Sequence, residues 1–282
     1  MPSSPSSSAQ EAREAVAARL RELLLDAGLT GRELASRCGW HPSKSSRIMN
    51  GKTPPSDADI RSWCEACGAI EQADDLIAAN RTADSMYVQW KKLQRNGMRR
   101  AQEDVVPRWE RTRQFRVYAS NVVPGMLQTP GYATALMASI TEFQGTPDDV
   151  AEAVDARMSR AHVIREGNHR FALLIEESVL RYRIGDSEAM AGQLGYLLAV
   201  MALPRVSLGV IPFTAPRRIW PLEAFYMFDD QQVAVELLAA GVNVKAPSEI
   251  AEYGRAFQKL AEMAVHGAQA RALIISAIDS LG

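Results

Sequence analysis

The sequence has no long hydrophobic run. Its longest, residues 194–203, covers about half of what a bilayer-crossing helix requires. The Pro/Ser-rich start from Met1 to Gln10 lacks the basic opening and apolar stretch of a secretory leader. Residues 1–10 therefore read as a disordered tail, no membrane partner is expected, and the expected compartment is the cytoplasm. The C-terminal half has no G-x-S-x-G elbow, no H-E-x-x-H pair and no G-x-G-x-x-G turn, so enzymatic activity is not expected. Histidines are few; His162 and His169 read as exposed on or beside a charged helix, and His266 lies near a helix end.

Cysteine is scarce too, with three residues in an odd count. Cys64 and Cys67 form a C-x-x-C, and Cys38 with His41 completes a zinc site on paper. The spacing favours another reading. Behind the cap-like Ser56 and Asp59, Ile60, Trp63, Cys64 and Cys67 fall at i, i+3, i+4 and i+7, one buried helical stripe in which a thiol acts as a small hydrophobe. His41 is poorly placed to reach that stripe. No metal and no other cofactor is expected. Gly51-Lys52-Thr53 is likewise not a phosphate loop, because Ser46 stands where the first glycine belongs and a helix replaces the preceding strand.

With 282 residues and 47% apolar content, the chain can form two domains, each with its own core. The net charge of −1 hides an asymmetry. Residues 1–116 carry 19 Lys+Arg against 15 Asp+Glu, whereas residues 117–282 carry 13 against 18. The polyanion-facing charge thus lies in the N-terminal half.

The most informative stretch there is residues 30–52. Thr30 and Glu33 form a capping-box pattern that starts a helix; Leu34, Ala35 and Cys38 give it one apolar face, and Gly39 stops it. Pro42 suits the first turn of a second helix, which Asn50-Gly51 ends after barely two turns. Ser43, Lys44 and Arg47 then share one face, while Ile48 and Met49 turn toward the body. Arg and Lys can bond the O6 and N7 of guanine, and Ser lets the helix approach the base edges. Asn50, Lys52 and the open amides at the Thr30 helix start suit phosphates.

This block resembles the Xre-type helix-turn-helix regulators, the broad family that includes phage repressors, over residues 11–68. The likeness includes a preceding amphipathic helix with Val16, Leu20, Leu23, Leu24 and Ala27 on one stripe. It implies base-reading positions at Ser43, Lys44 and Arg47, and phosphate contacts at Asn50 and at the Gly31-Arg32 helix start, with Thr30 and Lys52 beside them. Three residues depart from the family pattern. Ser45 replaces a packing aliphatic residue, His41 replaces a Ser or Thr cap, and Met49 stands where Glu is frequent.

Residues 72–96 continue in a helical pattern, with Leu76, Ala83, Tyr87, Trp90 and Leu93 as its apolar stripe, and so read as a connector arm. Basic residues crowd residues 81–116, among them Lys91, Lys92, Arg95, Arg99 and Arg100; they read as a solvated connector face, with contact to flanking DNA phosphates as the alternative. Pro107 begins or kinks the next helix. Strands are expected from residue 115, at 170–176 and at 206–211, the last two flanking a helix at 187–203 in a right-handed crossover with parallel pairing. A charged helix is expected at 148–166. Residues 225–228 and 232–238 flank a hairpin turn, residues 242–245 add an edge strand, and two helices close the chain.

This half is similar to the C-terminal domain of unknown function that follows an Xre-type motif in many actinobacterial regulators. The likeness rests on Trp109-Glu110, the run from Val122 to Thr129, Tyr132-Ala133, the Glu176 strand end and the terminal helix. It implies a small partner protein or a small-molecule effector, and no catalytic residue. Glu176 and Glu177, with Arg181 and Arg183 beyond them, form a possible ligand pocket at the carboxyl edge of the sheet, with a local salt-bridge cluster as the alternative.

The expected fold is α+β: an all-α helix-turn-helix domain at 11–70, a helical connector at 71–108 and a mixed α/β domain at 109–282. The expected function is sequence-specific binding of double-stranded DNA by a homodimeric transcriptional regulator with an effector- or partner-sensing domain. The alternative is an antitoxin-like or scaffold protein that holds a small partner and uses DNA binding for autoregulation.

Overall fold

The computed structural model describes residues 5–82, 87–89, 97–238 and 240–282. Two compact units emerge, one of residues 1–87 with 243–250, the other of residues 88–242 with 251–282. Among the described residues no helix is long and apolar enough to cross a membrane.

The N-terminal unit is helical: α1 (Pro5–Asp26), α2 (Gly31–Arg37), α3 (Pro42–Met49), α4 (Asp57–Ala66), a 3-10 turn (Ile70–Gln72) and α5 (Ala73–Thr82). Helix α1 begins at Pro5, so residues 5–10 are helical instead of forming a tail. A proline is tolerated in a first turn, where its missing N–H has no helical partner, and extending an existing helix costs little per residue. Leu20, Leu23, Leu34, Ile48, Ile60, Trp63 and Cys64 interlock as the core. Trp63 is fully buried, and its indole N–H donates to the Leu20 carbonyl at 3.0 Å, so its one polar atom is satisfied. Cys64 packs in this core as its stripe spacing predicts, and desolvation pushes its thiol up to about 11.

The C-terminal unit opens with α6 (Arg99–Glu103) and α7 (Val106–Arg111), in which Pro107 occupies the first turn. Then follow β2 (Gln114–Ala119), α8 (Pro130–Gln144), α9 (Val150–Arg160), β3 (Arg170–Glu176), α10 (Glu177–Arg181), α11 (Ser187–Val200) and β4 (Val206–Ile211). A hairpin of β5 (Phe225–Phe228) and β6 (Gln232–Glu236), then β7 (Ala240–Val244), α12 (Pro247–Ala261) and α13 (Gly267–Asp279) complete the chain. With β1 (Tyr87–Gln89), the strand order is β1-β7-β6-β5-β2-β3-β4. Strand β3 runs parallel to both β2 and β4, and β5 is antiparallel to β2 and β6, which makes a mixed sheet. The fold is α+β, and both the parallel crossover and the hairpin are as the sequence patterns predict.

Aromatic packing holds the centre of the sheet. Phe115 on β2 stacks on Phe171 of β3 at 4.7 Å and meets Phe228 of β5 edge-on at 5.8 Å. The buried loop between β2 and α8 is satisfied from inside. Gln128 donates to the Val123 carbonyl at 2.7 Å, and Gln193 accepts the Thr129 amide at 2.8 Å and donates to the Leu127 carbonyl at 2.7 Å. Pairing of this kind lets a loop lie within the fold.

Three expectations fail here. The edge strand expected at 242–245 is Ala240–Val244 and is not at the edge, because β1 follows it in the sheet order. The continuous helix over 72–96 ends at Thr82, and Tyr87–Gln89 forms a strand next to β7; Tyr and Val favour a pleated edge, and sheet pairing overrides the helical period. Ala83, Trp90, Lys91, Lys92, Leu93 and Arg95 lie outside the described residues. His169 is not exposed: it is 8% accessible, with Nδ1 2.6 Å from the Thr112 carbonyl and its ring edge-on to Phe115.

Candidate nucleic-acid interface

Helices α2 and α3 are each fixed by their first residues. The Thr30 amide donates to the Glu33 carboxylate at 2.7 Å, and the Glu33 amide donates back to Thr30 Oγ1 at 3.3 Å. The box occupies the Thr30 side chain, so what this helix start presents outward is the exposed Arg32 and the amides of Gly31 and Arg32. Gly39, at φ +67°, supplies the left-handed residue that turns the chain toward α3. His41 does act as a cap, its side chain accepting the Ser43 amide at 3.3 Å, so the family's Ser or Thr is replaced without loss of the bond.

The other two departures also have local explanations. Ser45 is 1% accessible, and its hydroxyl lies 3.1 Å from the Gly31 carbonyl and 3.0 Å from the Pro42 carbonyl, clasping α3 to the start of α2. A methyl group at Gly31 would lie 3.1 Å from Met49 Cε, so glycine and methionine share the close approach of the two helices. Arg21 of α1 donates to the Met49 carbonyl, which secures the far end of α3.

Anchored this way, α3 turns Ser43, Ser46, Arg47 and Asn50 outward as one exposed ridge. Among the described residues Arg47 makes no ion pair. Ser46, absent from the sequence-predicted set, was available from the i, i+3, i+7 spacing of Ser43, Ser46 and Asn50. Asn50 donates through Nδ2 to the Ser46 carbonyl at 2.7 Å, capping α3 with its own amide. Lys52 is exposed immediately beyond.

Lys44 is placed differently from Ser43 and Arg47. Its ammonium lies 2.6 Å from Asp59 Oδ1 and 4.5 Å from the Trp40 ring centroid. Asp59 is also the reciprocal member of the capping box of α4, accepting the Ser56 amide at 3.2 Å. Burial raises the Asp59 carboxyl, but the hydrogen bonds from Lys44 and Ser56 outweigh it and hold the group below its ordinary value. A depressed carboxyl stabilises the fold above its unfolded value, near pH 4, and that contribution is lost as pH falls through the lower folded value. With side chains 39% and 17% accessible, the pair contributes at most about 1 kcal/mol. Urea unfolding of the natural chain and of Asp59→Asn is therefore expected to differ modestly at pH 7 and to converge as the pH drops below 4. A gap that persists unchanged at low pH would contradict this.

The four residues of the possible pocket do not converge on one site. Glu176, 4% accessible, is held bidentately by Arg217 at 2.6 and 2.7 Å and accepts the Tyr118 hydroxyl at 2.8 Å. Arg181 pairs with Glu177 at 3.0 Å, and Arg183 donates to the Leu281 carbonyl at 2.9 Å. The salt-bridge alternative describes Glu177 and Arg181, while the partner of Glu176 lies 41 residues along the chain and carries no local signal.

The helix pair defines the class of protein. Residues 15–76 match the helix-turn-helix domain family, a class that binds DNA by laying its second helix in the major groove. Residues 103–276 match the family described as Domain of unknown function (DUF5753). That match spans more than half of the chain, and the chain belongs to this family. No curated protein and no solved structure matches it significantly.

Proposed function

We propose that this chain is a sequence-specific transcriptional regulator of the Xre type, cytoplasmic and dimeric, whose C-terminal domain senses an effector or partner. It acts by binding rather than by catalysis. The carrying observation is the exposed ridge of Ser43, Ser46 and Arg47 on a helix clamped at both ends, at the position where a helix-turn-helix meets bases. In a symmetric dimer, two such ridges about 34 Å apart would meet half-sites one helical turn apart.

In this reading, Arg47 offers its planar fork to a guanine edge, while Lys52 neutralises a phosphate. Lys44, already shared with Asp59, supports α3 from within and contributes less to base reading than Arg47. A genome-wide binding map in the native host tests the proposal, because a regulator yields discrete peaks with a common motif. Featureless coverage would refute it. On a mapped site, Lys52→Ala is expected to weaken binding to all sequences equally and to flatten the salt dependence by about one unit of slope. Gel shifts at several salt concentrations read this directly.

A further inference from the structure

The connection from β4 to β5, residues 212–224, is a strap laid across the carboxyl ends of β3 and β2. Polar contacts pin it along its length. The Phe213 amide donates to Glu177 at 2.9 Å, Arg217 grips Glu176 bidentately at 2.7 and 2.6 Å, and Arg218 meets Glu262, just past α12, at 3.1 Å. Further along, Ser120 donates to the Leu222 carbonyl at 2.8 Å, and Tyr253 of α12 donates to Glu223 at 2.7 Å.

A loop held this firmly could fold its apolar side chains beneath it, yet Phe213 is 60% and Trp220 71% exposed. Other apolar side chains are exposed nearby. Glu177, which holds the Phe213 amide, also pairs with Arg181 at 3.0 Å, and Arg181 reaches Ser276 of α13 at 3.4 Å. The chain neighbours of these two residues, Tyr182 and Ile275, are exposed as well. Apolar residues scattered singly over a surface are ordinary, but aromatic side chains gathered on a pinned loop have the composition of an interface centre.

The charges around the strap select among partners. Arg217 is balanced by Glu176, Arg181 by Glu177, Arg218 and Lys259 by Glu262, and Arg255 by Glu252. These pairs form within the chain, so the surround shows both signs and little net field. Nucleic acid or a strongly charged protein gains no attraction from such a surround. A patch with opposite signs about an apolar centre is instead complementary to its own rotated copy, because a two-fold axis brings the same surface of both chains together. Neutralised charge around a centre bearing Trp and Phe is also the composition of homodimer interfaces.

We propose that the strap face is the homodimerisation surface of the C-terminal unit, with Phe213 and Trp220 of one chain buried against the strap of a second copy. It rests on the dimeric-regulator reading and gives that dimer its surface, but self-association through the strap does not itself require DNA.

Sedimentation equilibrium of the full chain over a range of concentrations is the test. The natural chain is expected to be a dimer. Trp220→Asp and Phe213→Asp are each expected to weaken it roughly tenfold or more, because a carboxylate at a buried aromatic centre loses the apolar contact and must be desolvated. Phe143→Asp, at a comparably exposed aromatic in the last turn of α8, should dimerise as the natural chain does. Circular dichroism checks folding, and if one strap variant does not fold, the other decides. A monomeric natural chain, a dimer undisturbed in the folded strap variants, or equal weakening by Phe143→Asp overturns the proposal. So does a natural chain that stays monomeric and takes from a native-host extract a different protein that Trp220→Asp no longer holds. Binding to operator DNA is read separately in the same preparations: a DNA-binding dimer that survives both strap substitutions sinks this surface alone, whereas a strap-dependent dimer without specific DNA binding sinks the regulator reading alone.

Discussion

Trp63→Ala is expected to destabilise the N-terminal unit by about 3 to 5 kcal/mol, the range for truncating a buried aromatic side chain. The indole is fully enclosed, stands 6.2 Å from the Trp40 ring and bonds the Leu20 carbonyl, so its loss opens a cavity and removes a buried hydrogen bond between α4 and α1. That loss is a large share of what a small helical unit possesses. Thermal unfolding followed by helical circular dichroism should show the low-temperature part of the transition collapse. A shift of only a degree or two would mean that α1 and α4 are not held together as described.

Arg47→Ala is expected to reduce affinity for a mapped operator by about 1 to 3 kcal/mol, roughly fivefold to over a hundredfold, and to relax base preference at one position. Fold stability should be unchanged, because the side chain is exposed and makes no ion pair among the described residues. Gel shifts against an operator library with every base at each position separate this outcome from the uniform weakening expected of Lys52→Ala. Unchanged affinity for every library member would remove Arg47 from the groove.

What the sequence made legible was local. Thr30 with Glu33, Gly39, Pro42 and Ser56 with Asp59 act within a few residues of themselves, so helix starts and stops could be read directly. The parallel pairing of β3 and β4 followed from a strand, helix and strand in succession. Partnerships across long separations were not legible. Nothing near Lys44 announces Asp59, and nothing near Glu176 announces Arg217. The strand at Tyr87–Gln89 depends on a neighbour far along the chain. Arg157 and Arg160 are an intermediate case. Residues 148–166 read only as a charged helix, although the spacing of these two arginines from Val150 and Val154 already put them on its apolar stripe, where Arg160 is buried.

The shortness of α3 limits what one chain can distinguish. Eight residues extend about 12 Å at 1.5 Å per residue, the length of three or four stacked base pairs. A word of that size recurs very many times in any genome, where roughly 10⁶ or more rival positions compete. Unique addressing in such a crowd needs a longer message, assembled from a second copy of the same short word or from the bendability of the bases between them.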